Sequence, residues 1–102
     1  MSIHKKHVVC VARFQAKPEK EFELIAVLHS LTRESRLEEG CIRYELNQCR
    51  DNPKIITVIE QFVDYESFDA HCKKEEFKYI VQRVLPDIVE LSDIEVYREL
   101  IV

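Results

Sequence analysis

The chain has 102 residues, of which 19 are acidic and 15 basic, for a net charge of -4. That length suits one domain, residues 1–102, around one hydrophobic core, and without a basic stripe to neutralise phosphates nucleic acid is not an expected partner. Gly40 is the only glycine, which excludes a P-loop and a dinucleotide fingerprint, since both need several closely spaced glycines to bring backbone amides against a phosphate.

The first stretch, Met1 to His7, is polar, and the apolar run Val8 to Ala12 stops at Arg13. It is too short for a signal h-region or a membrane span, so the expectation is a cytoplasmic chain with no membrane partner. Cys10, Cys41, Cys49 and Cys72 lack CxxC spacing. In a reducing compartment they are expected to be free, buried small hydrophobes.

His7–Gln15 (HVVCVARFQ) is rich in β-branched residues and reads as the first strand. Helix is expected from Pro18 onward, with Glu19, Glu21 and Glu23 near the positive end of its dipole and Leu24, Ile25, Leu28 and Leu31 forming the core-facing stripe. Gly40 suits the end of that helix or the turn after it, as a residue tolerant of left-handed backbone. Cys41–Arg50 alternates, with Ile42, Tyr44 and Leu46 on one side, and reads as strand two. The turn Arg50-Asp51-Asn52-Pro53 joins it to strand three, Lys54–Val63, as a hairpin. Asp64 is placed to cap a short helix holding Ser67, Phe68, Ala70 and His71. A further helical stretch, Glu75–Leu85, should break before Pro86, and Ile94–Leu100 closes the chain as strand four. The order β-α-β-β-α-β predicts an α+β, ferredoxin-like antiparallel sheet with its helices on one face.

Both parities of strand one are apolar, Val8, Cys10, Ala12 and Phe14 on one side and Val9 and Val11 on the other, and strand three repeats this from Ile55 to Ile59. A sheet with one wet face should alternate cleanly. The second face is therefore expected to be covered by a second copy, sheet against sheet, in a homodimer.

Four segments, VARFQAKP (11–18), EGCIRYEL (39–46), IEQF (59–62) and FDAH (68–71), with Phe77 beyond, together resemble the antibiotic-biosynthesis monooxygenase family. The resemblance spans nearly the whole chain. It implies a dimeric α/β-barrel assembly, a pocket in each subunit between sheet and helices, and an activity of the quinol-monooxygenase-like branch. Ala12, Val58, Glu60 and Phe62 would then line the sheet side, with His71 and Phe77 facing them. The heme-degrading branch carries an asparagine, a tryptophan and an axial histidine where this chain aligns Ala12, Phe62 and Val81, and the chain has no Trp. Heme degradation is therefore not implied.

Two residues are the candidates for chemistry. His71 matches the family's Ala-His pattern, and an imidazole accepts or returns a proton near neutral pH. Glu60 lies in the middle of an apolar strand, where a carboxylate needs a partner or a raised pKa, and its alternative role is structural pairing with Arg13 or His71. Tyr44 could donate a hydrogen bond to substrate; Phe62 and Phe77 would shape the pocket, and Arg13 is a further candidate for contact with substrate. His4, His7 and His29 show no ligand spacing, so no metal site is expected. The resemblance implies a cofactor-free monooxygenase acting with O2 on a small quinol or electron-rich aromatic. An isomerase or lyase on a small carbonyl compound, using the same His71, and a non-catalytic small-molecule-binding stress module remain open alternatives.

Overall fold

The computed structural model describes residues 4–102, with side chains from Lys6 onward. Met1 to Ile3 of the polar first stretch, and the side chains of His4 and Lys5, lie outside the described residues. The elements are β1 (His4–Ala16), α1 (Glu21–Ser35), β2 (Cys41–Gln48), β3 (Ile55–Phe62), α2 (Tyr65–Lys73), α3 (Glu75–Tyr79), a π-helical turn (Ile80–Val84), α4 (Leu85–Ile88) and β4 (Val89–Leu100). The strands form one antiparallel sheet in the order β2-β3-β1-β4, and the helices pack on one face. This is the ferredoxin-like α+β fold.

Alternation decides which side of each strand enters the core. In β1, Val8, Cys10, Ala12, Phe14 and Ala16 are buried, and in β3 so are Ile56, Val58, Glu60 and Phe62. Leu24, Leu28 and Leu31 of α1 cover this face at helical spacing, and Leu24, Ala16 and Ile56 are fully enclosed. Burying each such leucine or isoleucine contributes roughly 1.5–3 kcal/mol.

Four local features differ from the sequence expectation. Pro18 does not open the helix: the Lys20 amide donates to the Lys17 carbonyl at 3.0 Å, closing a turn with Pro18 second and Glu19 third, where Glu19 takes φ 64°. Proline is preset for the second position of such a turn, and α1 starts only after it. Ile42 leaves the inner face because β2 bulges between Cys41 and Arg43, opposite Phe62 and Gln61, so that this residue is extra in the ladder and exposed. The helical stretch after Glu75 continues past Pro86 to Ile88. Widening into a π turn just before the proline accommodates the ring that an α-helical turn would clash with, and Pro86 sits at the start of α4. Finally, β4 begins at Val89, directly after that helix. β1 also begins earlier than expected, at His4, and β2 ends earlier, at Gln48, while the hairpin and the Asp64 cap are as expected, the cap's carboxylate accepting from the Ser67 amide at 2.8 Å.

Gly40 is not in left-handed backbone. It is glycine because the start of α2 presses on it, and a β-carbon there would collide with Oγ and Cβ of Ser67. Gly40→Ala should therefore cost about 1–3 kcal/mol in urea denaturation, and much less in a Ser67→Gly background. An equal cost in both backgrounds would show that Ser67 is not what forbids the side chain.

Candidate active site

Antiparallel register sets the side chains of the inner face in rows. Across the sheet, Tyr44 of β2 lies beside Glu60 of β3, Glu60 beside Cys10 of β1, and Cys10 beside Val96 of β4. The next row is Leu46, Val58, Ala12 and Ile94. The helices close over β2, β3 and β1 but not over β4, so Ile94 and Val96 remain about half exposed. Between the layers lies a cavity of about 420 Å³, floored by Cys10, Ala12, Val58, Glu60 and Ile94 and roofed by Leu28, Leu31, Phe68, Phe77, Val81 and Leu85. Glu90 and Ser92 stand on the same wall of β4.

Glu60 is the acid set into the apolar floor. It is 5% exposed, and that burial pushes its carboxyl up to about 7, with the nearby Glu38 acting in the same direction and hydrogen bonding from the Tyr44 hydroxyl opposing both. Burial also drives the Tyr44 phenol far above its ordinary range, with the Ser35 side chain acting in the opposite direction. Tyr44 therefore stays a neutral hydrogen-bond donor.

His71, carried by α2 on the helix side of the sheet, packs beside Glu60 and does not line the cavity. It is 1% exposed and boxed by three aromatic rings, with centroids 4.6 Å away for Phe77, 5.1 Å for Phe62 and 5.7 Å for Tyr44. Nδ1 lies 2.9 and 3.0 Å from the two carboxylate oxygens of Glu38. A carboxylate can only accept, so Nδ1 carries the hydrogen. Nε2 finds no hydrogen-bond partner among the described residues and lies 3.7 Å from Oε1 of Glu60. In the neutral ring that nitrogen is a free acceptor aimed at the cavity acid.

Of the residues singled out from the sequence, Glu60, Tyr44 and Phe77 meet at the cavity, and His71 joins them through Glu60. Phe62 does not reach the cavity, because Phe68 and His71 pack over it, with Phe68 at 5.8 Å. Arg13 belongs to the other side of the sheet: it is exposed, opposite Thr57 and Asp93, and its odd position in β1 turns it away from Glu60. Neither contact with substrate in this cavity nor pairing with Glu60 is open to it.

Glu38 was not legible in the sequence. It lies 33 positions from His71, in the loop after α1, and no local spacing connects the two. Cys10 and Cys72 also line the cavity, a placement that the expectation of buried small hydrophobes does not include. Their thiols are pushed up to about 12 and about 11, chiefly by burial, and so stay protonated. The four cysteines are free; Cys10 alone is buried, and Cys49 is exposed. Among the described residues no three His, Cys, Asp or Glu side chains converge as metal ligands, and no helix is long and apolar enough to cross a membrane.

The raised pKa of Glu60 makes a stability prediction. The folded chain holds this proton more tightly than the unfolded chain, so stability falls as pH rises from about 4.5 to about 7, and the loss is complete above that. The stability of Glu60→Gln relative to wild type should therefore grow by up to about 3 kcal/mol between pH 4.5 and pH 8. Parallel denaturation profiles for the two proteins would mean that Glu60 is not held protonated by the fold.

Residues 7–83 match the family described as antibiotic biosynthesis monooxygenase. No curated protein matches the chain. Among solved structures, a protein from Shewanella oneidensis is 44% identical, with 99% of this chain and 98% of that one covered and a TM-score of 0.94. A conserved protein from Methanosarcina mazei is 36% identical, over 91% and 92% of the two chains, with a TM-score of 0.83. A protein from Pseudomonas aeruginosa is 25% identical, over 97% and 99%, with a TM-score of 0.86.

Proposed function

The chain belongs to the antibiotic biosynthesis monooxygenase family, and on that premise we propose that it is a cofactor-independent monooxygenase that oxidises a small electron-rich aromatic or quinol-type substrate with O2. The observation that carries this reading is an apolar cavity whose floor holds one acid, Glu60, titrating near neutral pH, with the acceptor nitrogen of His71 beside it.

The chemistry follows from that placement. A phenolic or benzylic proton of the substrate passes to the Glu60 carboxylate, which is competent as a base above about pH 7. His71 Nε2 lies where it can take the proton on. The apolar walls exclude water from the resulting anion. That anion gives one electron to O2, the substrate radical and superoxide combine as a peroxide anion, and the returned proton converts it to a hydroperoxide. The hydroperoxide then loses water, formed from its outer O–H and the hydrogen of the oxidised carbon, so that one oxygen atom stays in the product as a carbonyl. The protein's share is the base, the dry cavity and the orientation of a flat substrate between Phe77 and the sheet.

We further propose that the protein works as a cytoplasmic homodimer. Val9, Val11, Ile55 and Ile59 on the far face of the sheet are only half buried, and Leu91 and Tyr97 of β4 are exposed beside them. A second copy laid on this face would cover a continuous apolar strip.

Oxygen uptake by the purified protein with hydroquinones and anthrone-like phenols, without added cofactor, tests the activity. Uptake above autoxidation should fall roughly 100-fold or more in Glu60→Gln and strongly in His71→Ala. Turnover of a carbonyl substrate without oxygen consumption would replace this reading with a proton-transfer isomerase. Native mass spectrometry at low micromolar concentration should give a dimer, and a persistent monomer would defeat the second proposal.

A further inference from the structure

Resting on the reading of Glu60 and His71 as the base pair, we propose that Glu38 is a positioning residue that locks His71 in the tautomer able to receive the substrate's proton from Glu60. The geometry is specific. Glu38 presents both carboxylate oxygens to Nδ1, at 2.9 and 3.0 Å, and is itself held by Lys74, whose ammonium lies 3.2 Å from Oε2. Its side chain is 11% exposed, so this anion is largely shielded from water, and shielding strengthens its hold on the imidazole hydrogen.

Without that acceptor the ring would have a choice. A neutral imidazole carries one hydrogen, and the acceptor left in reach would be the Glu60 carboxylate beside Nε2, at 3.7 Å. The hydrogen would then sit on Nε2, facing Glu60, where it blocks the nitrogen that must accept. Placing the Glu38 carboxylate on the opposite edge reverses this preference. The substrate's X–H bond breaks as the Glu60 O–H bond forms. That proton then moves to Nε2, leaving Glu60 as a carboxylate and His71 as an imidazolium flanked by two anions. No electrons change hands in either transfer.

The loop that carries Glu38 is built for this role. The Glu38 amide donates to the Ser35 carbonyl at 3.1 Å, the Glu38 carbonyl accepts from the amides of Gly40 and Cys41, and the Gly40 carbonyl accepts from the Val63 amide at 2.9 Å. These bonds tie the loop both to α1 and to the end of β3, next to the helix that bears His71. The charged and titratable groups around the imidazole are Glu38 from the loop, Lys74 from the end of α2, Glu60 from β3 and Tyr44 from β2, with Cys10 and Cys72 nearby on β1 and α2.

Imidazole 15N NMR of the ligand-free protein reads the tautomer directly, and Glu38→Gln and Glu38→Leu separate its two contributions. Wild type at pH 8 should show His71 protonated at Nδ1 with Nε2 as a bare acceptor. Glu38→Gln, whose amide oxygen still accepts, should keep that pattern, while Glu38→Leu should shift the hydrogen toward Nε2. In oxygen uptake, Glu38→Leu should lower kcat roughly 10- to 100-fold with KM little changed. Glu38→Gln should retain more of the rate but move the acidic limb of its pH profile to lower pH, because the anion that favours the protonated pair is gone. Unchanged His71 signals in Glu38→Leu would overturn the proposal whether or not the protein consumes oxygen. A changed tautomer with unchanged kcat and pH profile would overturn it as well. Absence of uptake in wild type would instead count against the proposed activity, leaving the NMR comparison to decide the role of Glu38.

Discussion

A carboxyl group in the middle of a dry sheet face governs the rest of this structure. Ionised and alone at that depth, Glu60 would cost several kcal/mol, and the chain answers with a raised pKa and a set of neighbours. Tyr44 supplies a hydrogen bond from the adjacent strand, and His71 supplies a nitrogen within 3.7 Å from the helix above. A buried imidazole creates a second polar requirement, which Glu38 meets from the loop after α1, and Lys74 meets the charge of Glu38 at the surface. The demand is handed from one polar group to the next until it reaches water. Each link fixes a piece of backbone: the close packing of Gly40 against Ser67 holds the loop and the start of α2 together, and so brings Glu38 within reach of His71.

The shape of the cavity has a different origin. A single long helix, α1, covers the sheet on one side, whereas the rest of the roof is assembled from short pieces, α2, α3, the π turn and α4. Short helices bury little of their own apolar surface and must be placed by what they pack on. Here Phe77, Val81 and Leu85 turn downward around the π turn, and Pro86 ends the irregular stretch by starting α4. The roof stops short of β4. The floor therefore runs out from under the helices to the half-exposed Ile94, giving an apolar slot that is closed at the Glu60 end and open at the β4 end.

Much of this was legible from patterns of two and of three to four residues. The order of elements, the hairpin, the Asp64 cap and the inward parity of Ala12, Val58 and Glu60 all follow from alternation and turn chemistry, which are local. The errors have local causes as well. One extra residue in β2 turns the Ile42 side chain off the inner face, Pro18 sits in a turn and does not open a helix, and Pro86 sits just inside a helix and not after its end. What the sequence could not supply was distance across the fold. Arg13 and Glu60 sit on neighbouring strands with opposite parity, so pairing between them was geometrically closed although each alone looked unsatisfied. Glu38 and His71 pair across 33 residues, through a loop whose path depends on the whole α1 and β3 frame.

The same frame separates contact from control. Had the imidazole itself faced the slot, a single group would have had to meet the substrate, hold its proton and resist solvent. Instead the group at the cavity is a short-reach carboxyl whose acidity is set by burial, and the imidazole beside it is kept dry by Tyr44, Phe62 and Phe77. The arrangement has a thermodynamic consequence. Glu60 becomes a base only as it ionises, and its ionisation is also what the fold resists, so the pH range that makes the site competent is the range in which Glu60 weakens the fold. A substrate proton delivered to Glu60 reverses that penalty, since the neutral acid is the form the sheet prefers. The folding preference of one buried carboxyl and the first step of the proposed reaction therefore pull in the same direction.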